Sequence, residues 1–194
     1  MTVKMILAVD RGGAIGWSDG RLPWKIPADM KRFKELTTGH TVIMGHNTFK
    51  SLNMKDGLPN RRNIVLSRKP YSELQGMTGD NVEIVSSFDW IIAHQKCLGC
   101  EDKVGDVWII GGAQVYAEAL KRKIVDEIYL TQVHTTSGGD VTLPEQLDMY
   151  NWKLFVIRQR AIDTNVNWDM DDIHQPTVMM PSPGITFLHF TKLK

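Results

Sequence analysis

The sequence predicts an α/β fold: a largely parallel sheet with helices on both faces and an antiparallel pair of strands at one edge. Three observations lead there. Short apolar runs such as Val3 to Val9 and Asp106 to Ile110 alternate with helical stretches. Several runs end in glycine or a polar residue that opens the following helix. The last two extended segments, Trp152 to Ile162 and Ile185 to Leu193, suit a hairpin rather than a crossover.

The elements follow in order. Val3 to Val9 reads as a buried strand, and a Gly-rich connection from Asp10 to Trp24 comes after it. That connection is long for a core link, and long loops are commonly lids or binding loops. Pro27 sets the first turn of a helix that runs to Gly39, with Asp29, Phe33 and Leu36 in one stripe and Met30 on its flank. Thr41 to Met44 is a strand, Gly45 opens a short helix through Leu52, and the turn Asp56 to Asn60 leads into the strand 63–67. Val82 to Val85 is another strand, and Ser86 with Asp89 starts a helix to about Gln95. The strand Asp106 to Ile110 meets Gly111-Gly112 and a helix over 113–121, and Glu127 to Val133 is again a strand. Residues 163–184 are polar, carry three prolines and read as a long loop.

Length and composition narrow the class. The 194 residues suit a single domain over 1–194, with 42% hydrophobic and 23% charged residues. A net charge of +1 provides no broad basic field, so no nucleic-acid partner is expected. No apolar run reaches the ~20 residues that cross a bilayer, so the expectation is a cytoplasmic monomer with no membrane partner. Cys97 and Cys100 form a lone C-x-x-C without a second ligand pair at zinc spacing, and they read as free thiols with no metal site.

Two groups of residues point to chemistry. Gly111-Gly112-Ala113 joins a strand to a helix, where bare backbone and free helix N–H groups suit a pyrophosphate. Gly45-His46-Asn47-Thr48 repeats that design, and Leu66-Ser67-Arg68-Lys69 adds cations at a third strand end. Glycine at such a turn also serves plain packing, so the three together carry more weight than any one. The second group is the string Leu22-Pro23-Trp24-Lys25-Ile26-Pro27-Ala28-Asp29. A carboxylate in a first helical turn stabilises the helix dipole by ~0.3–1 kcal/mol. Asp29 instead shares its stripe with apolar side chains, and a buried carboxylate must find a partner or await a ligand. Arg61 is either a surface cation or a clamp for a ligand carboxylate.

Taken together, A-V-D-R-G-G-A-I-G, L-P-W-K-I-P-A-D-M-K-R-F-K, V-I-M-G-H-N-T-F, L-P-N-R-R-N-I-V-L-S-R, I-I-G-G-A-Q-V-Y and I-Y-L-T resemble the motifs of dihydrofolate reductase, in that family's order and spacing, over about residues 3 to 160. The resemblance implies an eight-stranded, mostly parallel sheet with an antiparallel C-terminal edge strand, four helices, NADPH as cofactor and 7,8-dihydrofolate as substrate. It implies that Asp29 binds the pterin ring N–H and 2-amino group, backed by Thr131. Ile6, Ala8, Met30, Phe33, Leu52, Leu58, Ile110 and Tyr116 would line the folate site, and Arg61 would hold the glutamate α-carboxylate. Ala8, Ile15, Gly16, Gly45, His46, Asn47, Thr48, Leu66, Ser67 and Arg68 would contact NADPH, together with Ile110, Gly111, Gly112, Ala113, Gln114, Val115 and Tyr116. The loop 10–24 would be a mobile lid with Leu22 and Trp24 near the nicotinamide, and the Gly111-Gly112 bond would be cis.

The chain departs from the family pattern where the cofactor's 2′-phosphate would sit. His46 and Gln114 stand where members often carry Arg, and Asn47 replaces a frequent Lys or His. Arg68 and Lys69 are left as compensating cations, which implies a modest preference for NADPH over NADH. Two other readings share the scaffold: a riboflavin-pathway reductase, which would lack the Trp24 to Asp29 string, and a non-catalytic folate- or nucleotide-binding protein, in which the Asp, Gly-Gly or Arg position would be broken.

Overall fold

The computed structural model describes residues 2–69, 79, 81–89, 91–93, 105–142, 152–155, 160–161 and 184–192. In chain order the elements are β1 (Val3–Asp10), β2 (Ala14–Gly16), α1 (Pro27–Thr37), β3 (Thr41–Gly45), α2 (His46–Ser51), β4 (Arg62–Leu66) and β5 (Val82–Val85). They continue with β6 (Val107–Gly111), α3 (Ala113–Lys121), β7 (Glu127–Val133), β8 (Val141–Thr142), β9 (Trp152–Phe155), β10 (Arg160–Ala161) and β11 (Ile185–Lys192). A fourth helical stretch is described at 88–89 and 91–93.

The main sheet runs β10-β11-β7-β1-β6-β3-β4-β5, with β9 also paired to β11. From β7 to β5 every pairing is parallel, and β11 lies antiparallel to β7, β9 and β10. The expected eight positions are there. The nine strands arise because the expected strand from Trp152 to Ile162 is described as two pieces, both hydrogen-bonded to β11. Residues 94–95, Cys97, Cys100 and the loop 163–183 lie outside the described residues.

Strand alternation sorts the core into two layers. Met5, Leu7 and Val9 of β1 join Ile43, Ile64, Ile109 and Ile128 on one face, covered by Val115, Tyr116 and Ala119 of α3 and by Phe88 and Ile91. Ile6 turns the opposite way, with Val42, Met44, Val65 and Trp108, and meets Phe33 and Leu36 of α1 and Phe49 of α2. Both faces of the parallel strands are therefore covered, which is why their sequence runs are nearly continuous in apolar residues. Pro27 stands at the start of α1 as expected, and Gly39 (φ +82°) follows its end. The helical stretch after β5 begins at 88, two residues beyond Ser86, and Asp89 there pairs with Arg122 instead of closing a capping box.

The connection from Asp10 to Trp24 is more ordered than a plain loop. It contains β2, which pairs with β8 in a separate two-stranded sheet. The Asp10 carboxylate fastens its root by accepting the N–H groups of Gly12 and Ala14 and both the N–H and hydroxyl of Ser137. Further along, Ser18 donates its N–H and hydroxyl to Asp140 at 2.7 Å. Trp24 ends the segment buried in a third cluster with Ile26, Val133, Ile185 and Phe187.

The turn that carries Arg61 is fixed by one buried amide. Asn63 accepts the Leu58 N–H at 2.9 Å and donates to the Leu58 and Arg61 carbonyls at 3.0 Å. Gly57 (φ +68°) lets the chain pass over it, since a Cβ there would lie 2.5 Å from the Asn63 amide carbon. Asn63→Ala leaves those backbone groups unpaired in a buried site, and a loss of roughly 2–4 kcal/mol in denaturant unfolding is expected. A loss within the error of the measurement would show that the turn holds without its amide.

Candidate active site

The strand ends of β1, β3, β6 and β7 meet at one edge of the sheet, and α1 crosses beside them. Ala8 is in register with Thr131, while Met44 pairs with Gly111 because the β3–β6 register shifts and passes over Ile110. That shift brings Gly45 against the start of α3. A Cβ on Gly45 would lie 3.0 Å from Val115 Cγ2, and one on Gly112 would lie 3.1 Å from Thr48 Oγ1. The two glycine turns therefore touch, and the Gly111–Gly112 peptide bond is cis. No side chain caps α2 or α3; Val115 and Tyr116 donate their N–H groups to the Gly112 carbonyl at 2.9 and 3.0 Å, which leaves the N–H groups of Ala113 and Gln114 at the start of α3, a helix of nine residues, for another acceptor.

Asp29 is the third residue of α1 and faces β7. Its Oδ1 accepts the Thr131 hydroxyl at 2.6 Å. Desolvation pushes its pKa up, and the Thr131 hydrogen bond and the charge of Arg32 offset only part of that rise. A carboxylate serving only the helix dipole would move the other way. The net upward shift marks a carboxylate whose desolvation its protein partners do not fully offset. Below it, the Tyr116 hydroxyl donates to the Ile6 carbonyl at 2.8 Å, and burial, then the nearby Asp29 charge, hold that phenol in its neutral form. Tyr116 thus ties α3 to β1 under Gly111, where a Cβ would lie 3.1 Å from its oxygen.

The remaining expected residues fall into three groups. Ile6, Phe33, Leu52, Leu58 and Ile110 belong to the apolar layer beside Asp29. Arg61 lies 6.0 Å from the Phe33 ring centre, donating to Thr37 Oγ1 at 2.9 Å and to the Pro59 carbonyl at 3.0 Å. Met30 and Leu22 are open, at 52% and 59% exposure. On the other side of the glycine turns, Ser67 is buried, its hydroxyl accepting the Lys69 N–H, with Arg68 exposed beside it. His46 has its pKa lowered by burial and by Lys50 and Lys69, so three basic side chains gather there. Gln114 is exposed at the start of α3, and Ile15 and Gly16 lie in β2 of the lid segment.

Sequence reading missed two groups. Arg32 follows Asp29 by three residues, on the same side of the helix. Its Nη1 reaches Thr131 Oγ1 at 3.4 Å, and its guanidinium lies 4.3 Å from the Phe187 ring centre and 5.6 Å from that of Tyr129. The i,i+3 spacing from Asp29 was the available signal. Asp10 was the other: its buried carboxylate roots the 10–24 segment, through partners on a loop distant in sequence.

A family model described as Dihydrofolate reductase matches residues 2–175. The chain is 37% identical over 169 residues to a dihydrofolate reductase of Bacillus subtilis, covering 87% of this chain and 90% of that protein. It is 38% identical over 149 residues to a dihydrofolate reductase type 3 of Salmonella typhimurium, covering 77% and 82%. A solved dihydrofolate reductase from Enterococcus faecalis, complexed with NADP(H) and RAB-propyl, superimposes with a TM-score of 0.72 at 26% identity, covering 100% of this chain and 97% of that one.

The raised pKa of Asp29 has a consequence for stability. Its native value lies above the ordinary 3.8, so the folded state holds a proton that the unfolded chain releases first. Asp29 therefore contributes its full stability below pH 3.8, and that contribution is lost as pH rises through the native value. At pH 7 the ionised, desolvated group weakens the fold. Denaturation midpoints should show Asp29→Asn more stable than the wild type at pH 7, with the gap narrowing toward pH 3.8. A variant less stable at pH 7 would mean that the carboxylate is not held under strain of desolvation.

Proposed function

Since the chain belongs to the dihydrofolate reductase family, and as such reduces 7,8-dihydrofolate to 5,6,7,8-tetrahydrofolate with NADPH, we propose that Asp29 is the group that anchors the pterin. The observation that carries this assignment is a desolvated carboxylate with one side-chain donor, Thr131, at the edge of an apolar layer. The amino-pyrimidine edge of a pterin offers two adjacent N–H donors, which would complete its hydrogen bonding. Ile6, Ala8, Met30, Phe33, Leu52, Leu58, Ile110 and Tyr116 would supply the walls, and Arg61 would take a carboxylate at the far end of the ligand.

The residues at the glycine turns fit a phosphorylated dinucleotide. The uncapped start of α3, the bare backbone of Gly45, Gly111 and Gly112, and the cations around His46 form a donor set suited to phosphates. Thr48, Ala113, Gln114, Val115, Ser67 and Arg68 complete that side, with Ala8, Ile15, Gly16, Asn47 and Leu66 beside them. When bound, NADPH supplies the hydride that adds to pterin C6. Asp29 orients the ring and raises its basicity, but a carboxylate occupied with the amino-pyrimidine edge cannot also protonate N5 across the ring. Solvent water supplies that proton, and Leu22 and Trp24 of the lid limit how much water enters.

The rival readings lose their footing on particular residues. The Trp24 to Asp29 string that a riboflavin-pathway reductase would lack is folded against the cleft, and the Asp, Gly-Gly and Arg positions that a non-catalytic relative would break are intact. We also propose that the chain acts as one domain and as a monomer in the cytoplasm, without nucleic-acid or membrane partners. Among the described residues, no helix is long and apolar enough to cross a membrane, and no group of side chains suits a metal ion.

The direct assay is the loss of reduced-nicotinamide absorbance with dihydrofolate, run beside the riboflavin-pathway ketone; no turnover of dihydrofolate by folded protein overturns the assignment. Asp29→Asn should bind NADPH as the wild type does while losing turnover near neutral pH by roughly 100-fold or more. Wild-type rates from that variant would leave Asp29 as a helix-start residue. On the cofactor side, His46→Arg and Gln114→Arg should each lower the KM for NADPH by several-fold, as about 1 kcal/mol of added phosphate pairing requires. An unchanged KM would mean that Arg68 and Lys69 already satisfy the phosphate.

A further inference from the structure

Asp29 and Arg32 are joined through a single hydroxyl, and the direction of that connection is fixed by chemistry. Arginine has only N–H donors, so the Arg32 Nη1 contact with Thr131 Oγ1 at 3.4 Å makes the hydroxyl oxygen an acceptor. The one proton of Thr131 is then committed to Asp29 Oδ1, at 2.6 Å. An Oδ1 that carried its own proton would leave two donors facing each other. Any proton on Asp29 is thereby confined to Oδ2, the oxygen left to meet the N–H donors of a ligand.

The guanidinium is held in place from two strands. Phe187 of β11 lies under it at 4.3 Å, and Tyr129 of β7 flanks it at 5.6 Å. Tyr129 is itself fixed by donating to Glu127 at 2.9 Å and by stacking on His189 at 4.2 Å. Planar stacking of this kind suits Arg and not the compact ammonium of Lys.

The other charged or titratable groups on α3, β1 and β7 do less. Tyr116 on α3 and Tyr129 on β7 are phenols whose neutral forms burial favours. Lys4 on β1 is engaged by Asp106 at 2.6 Å, and Glu127 is shared between Tyr129 and His189 of β11 at 2.9 and 3.0 Å. Arg32 is the cation whose charge acts on Asp29, against the desolvation that favours the neutral acid.

We propose that Arg32 is a positioning residue for the reaction: by its charge, and by orienting the Thr131 hydroxyl, it keeps Asp29 ionised at neutral pH so that both carboxylate oxygens can accept the pterin's N–H donors. A protonated Asp29 would present an O–H to a ring edge that itself donates, and binding would weaken. This inference rests on Asp29 being the pterin anchor.

The test begins without substrate. Asp Cγ carbon NMR of the full chain, with Asp29→Asn to assign the signal, gives the Asp29 titration midpoint in the wild type and in Arg32→Met, Arg32→Gln and Arg32→Lys. The midpoint should rise by about one pH unit in the Met and Gln variants and by clearly less in the Lys variant, which keeps the charge but loses the stacking. Arg32→Gln keeps an N–H donor for Thr131 without the charge, and it serves if Arg32→Met does not fold. An unchanged midpoint in the neutral variants, or an equal rise in the Lys variant, overturns the proposal. In turnover, the neutral variants should show a raised KM for dihydrofolate at pH 7 that returns toward the wild-type value as pH increases. A raised KM at every pH would mark a purely structural role and overturn it too. If the wild type fails to reduce dihydrofolate, the pterin assignment fails, while the NMR midpoints still decide the link between Arg32 and Asp29.

Discussion

The Thr131 hydroxyl holds Asp29 at 2.6 Å in a place from which water has been largely removed, and the cleft is arranged around keeping that carboxylate there. Burial of an ionisable group costs free energy unless partners replace its hydration. Here α1 brings the group to the sheet by its third residue, and Pro27 fixes the entry of the helix so that this residue faces β7. Register does the rest, because Ala8 opposite Thr131 places the nearest point of β1 beside the same carboxylate. A one-residue slip of β7 would turn Thr131 to the opposite face and leave Asp29 without its donor.

The second half of the site depends on backbone approach. Gly45 and Gly112 sit where Val115 and Thr48 would be met by any Cβ, so the starts of α2 and α3 close on each other only through glycine. The register shift between β3 and β6 is the companion device: by passing over Ile110 it sets Gly111 against Met44 and leaves Ile110 at the boundary with the folate side. Tyr116 joins the two halves, since its hydroxyl bonds the β1 carbonyl at Ile6 while its ring lies beneath Gly111. On the proposed assignment, the pterin and nicotinamide sites would share this floor, as a direct transfer between two bound rings requires.

Local pattern made much of this legible. The alternation in β1, the proline before α1, and the strand–glycine–helix joints each depend on neighbours a few residues away, and the elements lie within a residue or two of where those signals put them. Side chains whose partners come from remote strands were not legible. Arg32 looked like one more charge on a helix rich in lysine, because nothing near it in sequence announces Phe187 or Tyr129. Asp10 looked like the start of a glycine-rich loop, and the Ser137 groups that bury it belong to the segment after β7. The lid was read as irregular for a similar reason: β2 exists only because β8 arrives to pair with it.

Asp10 and Asp29 show how one fold sends two buried carboxylates in opposite directions. Desolvation is the largest influence on both and favours the neutral acid in each. At Asp10 the donors Ser137, Ala14 and Gly12 together outweigh it, and the pKa is lowered. At Asp29 one hydroxyl and one nearby cation do not, and the pKa is raised. Asp29 is the more desolvated of the two and has fewer donors to offset it. Asp10 spends its lone pairs on the protein and becomes a fixed knot at the root of the lid. Asp29 accepts one described side-chain donor, the Thr131 hydroxyl, and keeps further acceptor sites that no described side chain fills. On the proposed reading of Asp29 as the pterin anchor, that unrelieved burial is what makes a first-turn helix residue a binding group, matched by a ring with two adjacent donors on one edge.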